Sequence, residues 1–286
     1  MKAAMDIGSN SLRLLVIDEA GGTSQVIRQE VEETRLGAGF KEGMLLAASV
    51  DRTLEVLERW KKELAAEGIS QPLIFATSAV RDAGNREAFA EAVLSRTGCP
   101  LRILSGEEEA WYSFSGAVSG FDFPREQCLL IDIGGGSTEL AGFAQGHLSG
   151  MSMPVGAVRW QVMNFRRSEV KRKMAARIAM KKYDDIRYFI GVGGTITTAA
   201  AVLGSVTAYT REAIHGKSLD YATLTALHRR LETMTLEERK AVPGMPPARA
   251  EVILYGMDIL EILFELLSIP KLYISDWGIL DGILAE

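Results

Sequence analysis

Met5-Asp6-Ile7-Gly8-Ser9-Asn10-Ser11-Leu12-Arg13-Leu14 and Ile131-Asp132-Ile133-Gly134-Gly135-Gly136-Ser137-Thr138-Glu139-Leu140 align without a gap. Asp, Ile, Gly, Ser and Leu fall at matching places. An apolar run precedes each Asp, and a strand-like run follows each turn. Residues 2–7 and 12–18 are therefore expected to be strands joined by a tight turn, as are 128–133 and 138–143.

The echo runs further. Residues 72–78 form a short buried-type strand that ends in small residues and leads to a helical stretch at 85–96. Residues 187–195 do the same and lead to a helix at 196–203. A longer helix is expected over about 45–67, where Leu54, Leu57, Trp60 and Leu64 share one face. Strands alternating with helices argue for an α/β fold. A repeat of this size argues for duplication, with a cleft between the halves. The boundary is expected near 119–127, where Gly120, Asp122 and Pro124 cluster.

Composition excludes some classes. The chain has 286 residues, 47% hydrophobic and 24% charged, with net charge −5. Such a surface does not advertise nucleic-acid binding as a whole. Residues 159–187 are the exception, with ten basic residues against three acidic ones. The run reads either as a solvated helix face or as a track for a polyanion. The two cysteines, Cys99 and Cys128, have neither metal-site nor disulfide spacing. The histidines form no ligand pair. No signal peptide is expected, and Asp258, Glu261 and Glu265 interrupt the most apolar late segment, so neither membrane insertion nor export is expected. Cytoplasm is the expected location.

The D-x-G-[SG]-x-S turn suits phosphate. Glycine turns the backbone tightly and brings N–H groups near an anion, and serine adds hydroxyl donors. An aspartate would repel phosphate, so Asp6 and Asp132 fit a metal ion or its water better; Mg²⁺ takes few carboxylates together with waters and phosphate oxygens. Gly193, Gly194 and Thr195 ahead of a helix offer a further anion site, or merely a turn capped by Thr195. Glu107, Glu108 and Glu109 open another helix. First-turn acids suit the helix dipole, yet one could act on a water; spacing does not say which. Arg81 follows a strand end, as a phosphate fork or as a surface pair with Asp82 or Glu87.

Taken together, the stretches D-I-G-S-N-S (6–11), T-S-A-V-R-D-A-G-N (77–85), L-S-G-E-E-E-A (104–110), D-I-G-G-G-S-T-E-L (132–140), V-G-A-V-R (155–159), G-V-G-G-T-I (191–196) and I-S-D-W-G-I-L-D-G-I-L (274–284) resemble the exopolyphosphatase/guanosine pentaphosphate phosphohydrolase family. This is a branch of the acetate and sugar kinase/Hsp70/actin superfamily. The resemblance implies two ribonuclease-H-like (actin-like ATPase) domains with the site in the cleft. Residues 1–119, joined by a last helix at about 279–286, would form one domain, and 120–278 the other. It implies Mg²⁺-dependent release of terminal phosphate from inorganic polyphosphate. The alternatives are pppGpp 5′-phosphohydrolysis, a nucleotide-binding regulator of the actin-like fold with little turnover, and a small-molecule kinase.

By the same resemblance Glu109 is the catalytic glutamate, Asp132 the metal-site aspartate, and Glu139 the acid of the second loop; Asp6 and Glu139 are expected to join Asp132 around the metal. Gly8, Ser9, Asn10 and Ser11, and Gly134, Gly135, Gly136 and Ser137, are the phosphate loops, and Arg81 contacts phosphate. Homodimers are common in the family. Many members carry a further C-terminal HD-type helical domain; this chain resembles the short form, and its segment 161–187 is shorter and more basic than the family pattern.

Overall fold

In the computed structural model, which describes residues 1–19 and 24–286, the two aligned stretches are the inner hairpins of two separate sheets. In the first sheet β1 (Lys2–Ile7) and β2 (Ser11–Asp18) pair antiparallel, and β3 (Gln25–Glu33) adds to β2. After helix α1 (Ala47–Ala66), strand β4 (Leu73–Ala76) runs parallel to β1. Helices α2 (Ser78–Arg81) and α3 (Arg86–Thr97) precede β5 (Leu101–Ile103), which is parallel to β4. The order is β3-β2-β1-β4-β5.

Helix α4 (Gly106–Ser119) leads to the second sheet. Strands β6 (Cys128–Ile133), β7 (Thr138–Ala144) and β8 (His147–Met153) form its antiparallel meander. Helices α5 (Ala157–Met163) and α6 (Arg167–Ile178) follow, then β9 (Tyr188–Val192), parallel to β6, and α7 (Gly194–Leu203). Helix α8 (Arg211–Ile214) and strand β10 (Ser218–Leu219) come next, followed by helices α9 (Tyr221–Glu232), α10 (Leu236–Lys240) and α11 (Ile253–Leu267). Strand β11 (Leu272–Ile274), parallel to β9, and helix α12 (Ile279–Leu284) end the chain. The order β10-β11-β9-β6-β7-β8 contains the first sheet's order, with β10 added at one edge.

The sequence explains the pattern. β1 and β6 are apolar almost throughout because parallel neighbours and helices cover both their faces. β3 is an edge strand with exposed Val26, Ile27 and Val31 among charges that blunt further pairing. In α1 the stripe Leu54, Leu57, Trp60 and Leu64 is buried against the first sheet. Each such side chain contributes about 1.5–3 kcal/mol by burial. The indole Trp60 Nε1 donates to Glu30 at 2.8 Å.

Helix α4 lies between the sheets. Ala110, Phe114, Ala117 and Val118 pack on β6, β7 and β9, whereas Tyr112 packs with α12 and β1. Glu109, between these two faces, is thereby set at the junction. Ser105 and Glu108 form a capping box that fixes where α4 begins.

Some expectations shift. A third strand joins each hairpin, hidden in sequence because β3 is charged and β8 is rich in small and polar residues. The strand expected through residue 78 stops at Ala76, and α2 starts at Ser78. Helix α7 begins at Gly194, so its N-cap is Gly193, at φ 90°, and Thr195 caps nothing. Its hydroxyl side instead packs on Gly256 of α11.

Candidate active site

Both hairpin turns close with the same bond. Gly8 N–H donates to the Ser11 carbonyl at 3.1 Å, and Gly134 N–H to the Ser137 carbonyl at 3.0 Å. The turns face each other across a narrow cleft. Asp6, Gly8, Ser9, Asn10, Ser11, Glu109, Asp132, Gly134, Gly135, Gly136, Ser137, Gly193 and Gly194 line it. Arg81 lines the adjoining cavity, which shares Ser137. Glu139 and Thr195 are not in the cleft wall: Glu139 stands behind it on β7, where Ser152 Oγ donates to its carboxylate at 2.6 Å.

The register of the hairpins fixes the neighbours. Asp6 lies opposite Arg13 on β2, and Asp132 opposite Glu139 on β7. Directly opposed residues share a sheet face, so the first hairpin offers an acid with a base and the second offers two acids. Gly193 lets β9 approach Asp132: a Cβ there would stand 2.8 Å from Asp132 Oδ1 and 2.5 Å from the Ile133 carbonyl.

Four carboxylates are buried together. Burial pushes Asp6 up to about 6, opposed by Arg13 and reinforced by Asp132. Burial also raises Asp132; Ser113, whose Oγ donates to Oδ2 at 2.8 Å, and Arg13 oppose this. Glu109 is pushed up to about 7 by burial, with Arg81 opposing and Asp132 and Asp6 adding to the rise. Glu139 is held well above the usual carboxylate range by burial and by Glu109 and Asp132, against the hydrogen bonds from Ser152 and Ser137. Asp6 Oδ1 and Asn10 Nδ2 are buried with no hydrogen-bond partner among the described residues. An unpaired carboxylate oxygen and an unpaired amide donor in one cleft ask for a cation and an anion respectively.

A divalent cation fits this donor set through one or two carboxylates, with water completing its shell. The atoms of Asp6, Asp132 and Glu139 do not converge tightly enough to form one three-carboxylate cage. Among the described residues the one such group is His228, Asp258 and Glu261, on α9 and α11. It is an ion-pair network instead, because Arg167 of α6 bonds both acids.

The glutamates separate clearly. Glu107 is exposed. Glu108 is engaged in the capping box and with Arg102 at 2.7 Å. Glu109 is buried, and Arg81 Nη1 donates to its Oε2 at 2.7 Å and to the Leu104 carbonyl at 3.0 Å. Arg81 lies only at 3.9 Å from Asp82, so the surface pair is not its principal contact.

Some residues at or behind the cleft were faint or silent in sequence, Arg13 showing only as the counterpart of Glu139. Arg13 and Arg249 both line the cleft. Arg249 comes from the segment before α11, and burial together with Arg13 lowers its guanidinium to about 10. Ser113, one turn after Glu109 on the same face of α4, could have been found from that i, i+4 spacing. Ser78 shares a buried hydrogen bond with Ser9 at 3.2 Å.

Arg159 joins the halves. Its Nε donates to the Gly136 carbonyl at 2.6 Å, Nη2 bonds Asp82, and the guanidinium lies 3.9 Å over the Phe40 ring. Lysine cannot make this fork and stack together. Arg159→Lys is therefore expected to lower kcat/KM about tenfold through misplacement of the Gly136 turn. Asp82→Asn should act in the same direction, and the double variant should lose little more than either single change; strict additivity in steady-state kinetics would refute the coupling.

The Ppx/GppA phosphatase family model matches residues 15–286. The chain is 31% identical over 307 aligned positions to "Exopolyphosphatase 2" of Mycobacterium tuberculosis, covering 98% of this chain and 96% of that one. A PPX-GPPA enzyme structure from Aquifex aeolicus superposes with TM-score 0.81 at 29% identity, covering 99% of this chain and 98% of that one. An exopolyphosphatase structure from Cytophaga hutchinsonii matches in fold, with TM-score 0.87 at 22% identity over 99% and 96% of the two chains.

Proposed function

As this chain belongs to the Ppx/GppA phosphatase family, with its two-domain actin-like fold, we propose that it is an exopolyphosphatase that releases terminal phosphate from inorganic polyphosphate. The carrying observation is a buried carboxylate, Glu109, held by Arg81 beside two facing phosphate-type turns.

In this reading water attacks the terminal phosphorus in line. The new P–O bond forms as the bridging P–O bond to the next phosphate breaks, giving phosphate and a chain one unit shorter. Glu109 takes the proton from the water and orients it. Asn10 Nδ2, the serines of both turns and Arg81 hold the terminal phosphates, so positioning and charge do most of the catalysis. Asp132, with Asp6 beside it and Glu139 behind, would hold Mg²⁺, which neutralises phosphate charge when bound. Ser113 and Ser152 orient Asp132 and Glu139.

We further assign residues 1–119 with α12 to one lobe and 120–278 to the other, on the strength of α12 packing with β1 and Phe75 of the first sheet. A cytoplasmic location is supported by two cysteines that are free and buried. Among the described residues no helix is long and apolar enough to cross a membrane.

A second reading, pppGpp 5′-phosphohydrolysis, is favoured by one feature. A cavity of about 390 Å³ adjoins the cleft at Arg13 and Arg249 and carries Tyr209, Pro246 and Trp277 in its wall, a surface suited to a nucleoside. Phosphate release with Mg²⁺ from short polyphosphate, long polyphosphate, pppGpp and ATP decides the matter. Fastest release from polyphosphate is expected. Preference for pppGpp would install the second reading, and tight ATP binding without hydrolysis would point to a regulator.

A further inference from the structure

The basic run 159–187 does not act as one patch. Arg159 is engaged by Asp82, Arg167 by Asp258, Glu261 and Glu265, Lys171 by Glu265, Lys173 by Glu169 and Arg187 by Asp185. Arg166, Arg172, Arg177, Lys181 and Lys182 have no carboxylate within 4.0 Å among the described residues. Two of these five, Arg177 and Lys181, lie in the wall of a cavity of about 570 Å³.

That cavity adjoins the phosphate cleft at Ser137, which lines both, and Arg81 stands in its wall. The N-terminus of α4 (Ser105 to Glu107) and the Gly150-Met151-Ser152 stretch of β8 form its sides. Arg177 and Lys181 are fastened there by neutral oxygens. Arg177 Nη2 donates to the Ser152 carbonyl at 3.3 Å, and Lys181 Nζ to Ser149 Oγ at 2.6 Å and the Gly150 carbonyl at 2.5 Å. They are held in place, yet their charge is uncompensated, which is the arrangement a polyanion needs.

We propose that this cavity is the exit path of the polyphosphate chain, with Arg177 and Lys181 binding phosphates beyond those held between the two turns. The proposal rests on the exopolyphosphatase reading. It makes the two mouths of the cleft different, one basic at Arg177 and Lys181 and one aromatic at Tyr209 and Trp277. The wall also carries two acids. Asp82 is occupied by Arg159, and Glu107 has no ion-pair partner among the described residues and opposes the anion, so Glu107→Gln should tighten long-chain binding.

The test compares Arg177→Ala/Lys181→Ala with Arg166→Ala/Arg172→Ala, which removes the same charge from exposed positions outside the cavity. Two readouts are taken: binding of fluorescently labelled long polyphosphate, and the ratio of kcat/KM for long polyphosphate to that for tripolyphosphate. The first pair should weaken long-chain binding and lower the ratio about tenfold, whereas the second should leave the ratio in place. Equal losses from both pairs would reduce the effect to a general field and overturn the subsite. So would equal losses on long chains and tripolyphosphate, or no loss in either readout. If the unaltered protein hydrolyses no polyphosphate, the exopolyphosphatase reading fails, and the binding comparison still decides whether the cavity takes a long polyanion.

Discussion

Glu109→Gln is expected to slow phosphate release by roughly 10²–10⁴-fold, the usual loss when a general base is removed. The substitution is well controlled by its surroundings. Glutamine keeps the size of the side chain and an amide oxygen that can still accept from Arg81 Nη1, now 2.7 Å from Oε2. The Arg81 contact to the Leu104 carbonyl also remains. Substrate binding should therefore survive while kcat falls. Substitution at Glu108 would instead remove a helix cap and its bond to Arg102, a change of stability rather than chemistry. The pH profile gives a second check. A base pushed up to about 7 by burial is largely protonated in mild acid, so kcat/KM of the wild type should rise with pH through neutrality and then level off. The residual rate of Glu109→Gln should lack that acidic limb. A variant working near the wild-type rate would remove Glu109 from the mechanism and leave the cleft as a phosphate-binding site only.

How much of this was legible beforehand depends on the distance over which each feature is written. The two turns were readable because Asp6 to Ser11 and Asp132 to Ser137 each occupy one short stretch, and the repeat doubles the signal. The hairpin strands, α1 and the parallel β4 and β9 followed from local periodicity and apolar runs. β3 and β8 did not, because an edge strand with charges and a strand rich in glycine and serine lack a clean alternation. Among three consecutive glutamates, spacing carries no information on burial. The contact of α4 with both sheets is what buries Glu109 and leaves Glu107 exposed. Arg13 was visible only as the counterpart of Glu139, and its cross-strand place opposite Asp6 needed the register. Arg249 arrives from a distant segment with no local mark. The basic run was legible as charge but not as function. Its Arg167 and Lys171 are matched by acids on α11 that lie over ninety residues away in sequence, so composition could not tell spent cations from free ones.

The second large effect is expected at Gly136, at the point where the two turns meet. This residue does not have positive φ, so alanine suits its backbone and any loss must come from contact. A Cβ there would stand 2.1 Å from Ser78 Oγ, 2.5 Å from Ser9 Oγ and 2.6 Å from the Phe40 ring edge. One serine could rotate away. Both cannot do so freely, since Ser9 and Ser78 are buried and hydrogen-bonded to each other, and the Phe40 ring is covered by Arg159. The added methyl must therefore push the second turn back from the first, by a fraction of an ångström up to about 1 Å. Misplacement on that scale costs on the order of 10²-fold in rate when catalysis depends on positioning. Gly136→Ala should thus lower kcat/KM by about that factor while the thermal midpoint shifts by only a few degrees, because the contact lies at the cleft and not in either core. Ser78→Ala added to Gly136→Ala removes the nearest obstacle and should restore part of the activity. A single variant within twofold of wild type would mean that the cleft is wider in solution than the contacts allow. A loss that Ser78→Ala did not relieve would place the defect in the turn itself, and the two halves would then not be read as a clamp whose spacing Gly136 sets.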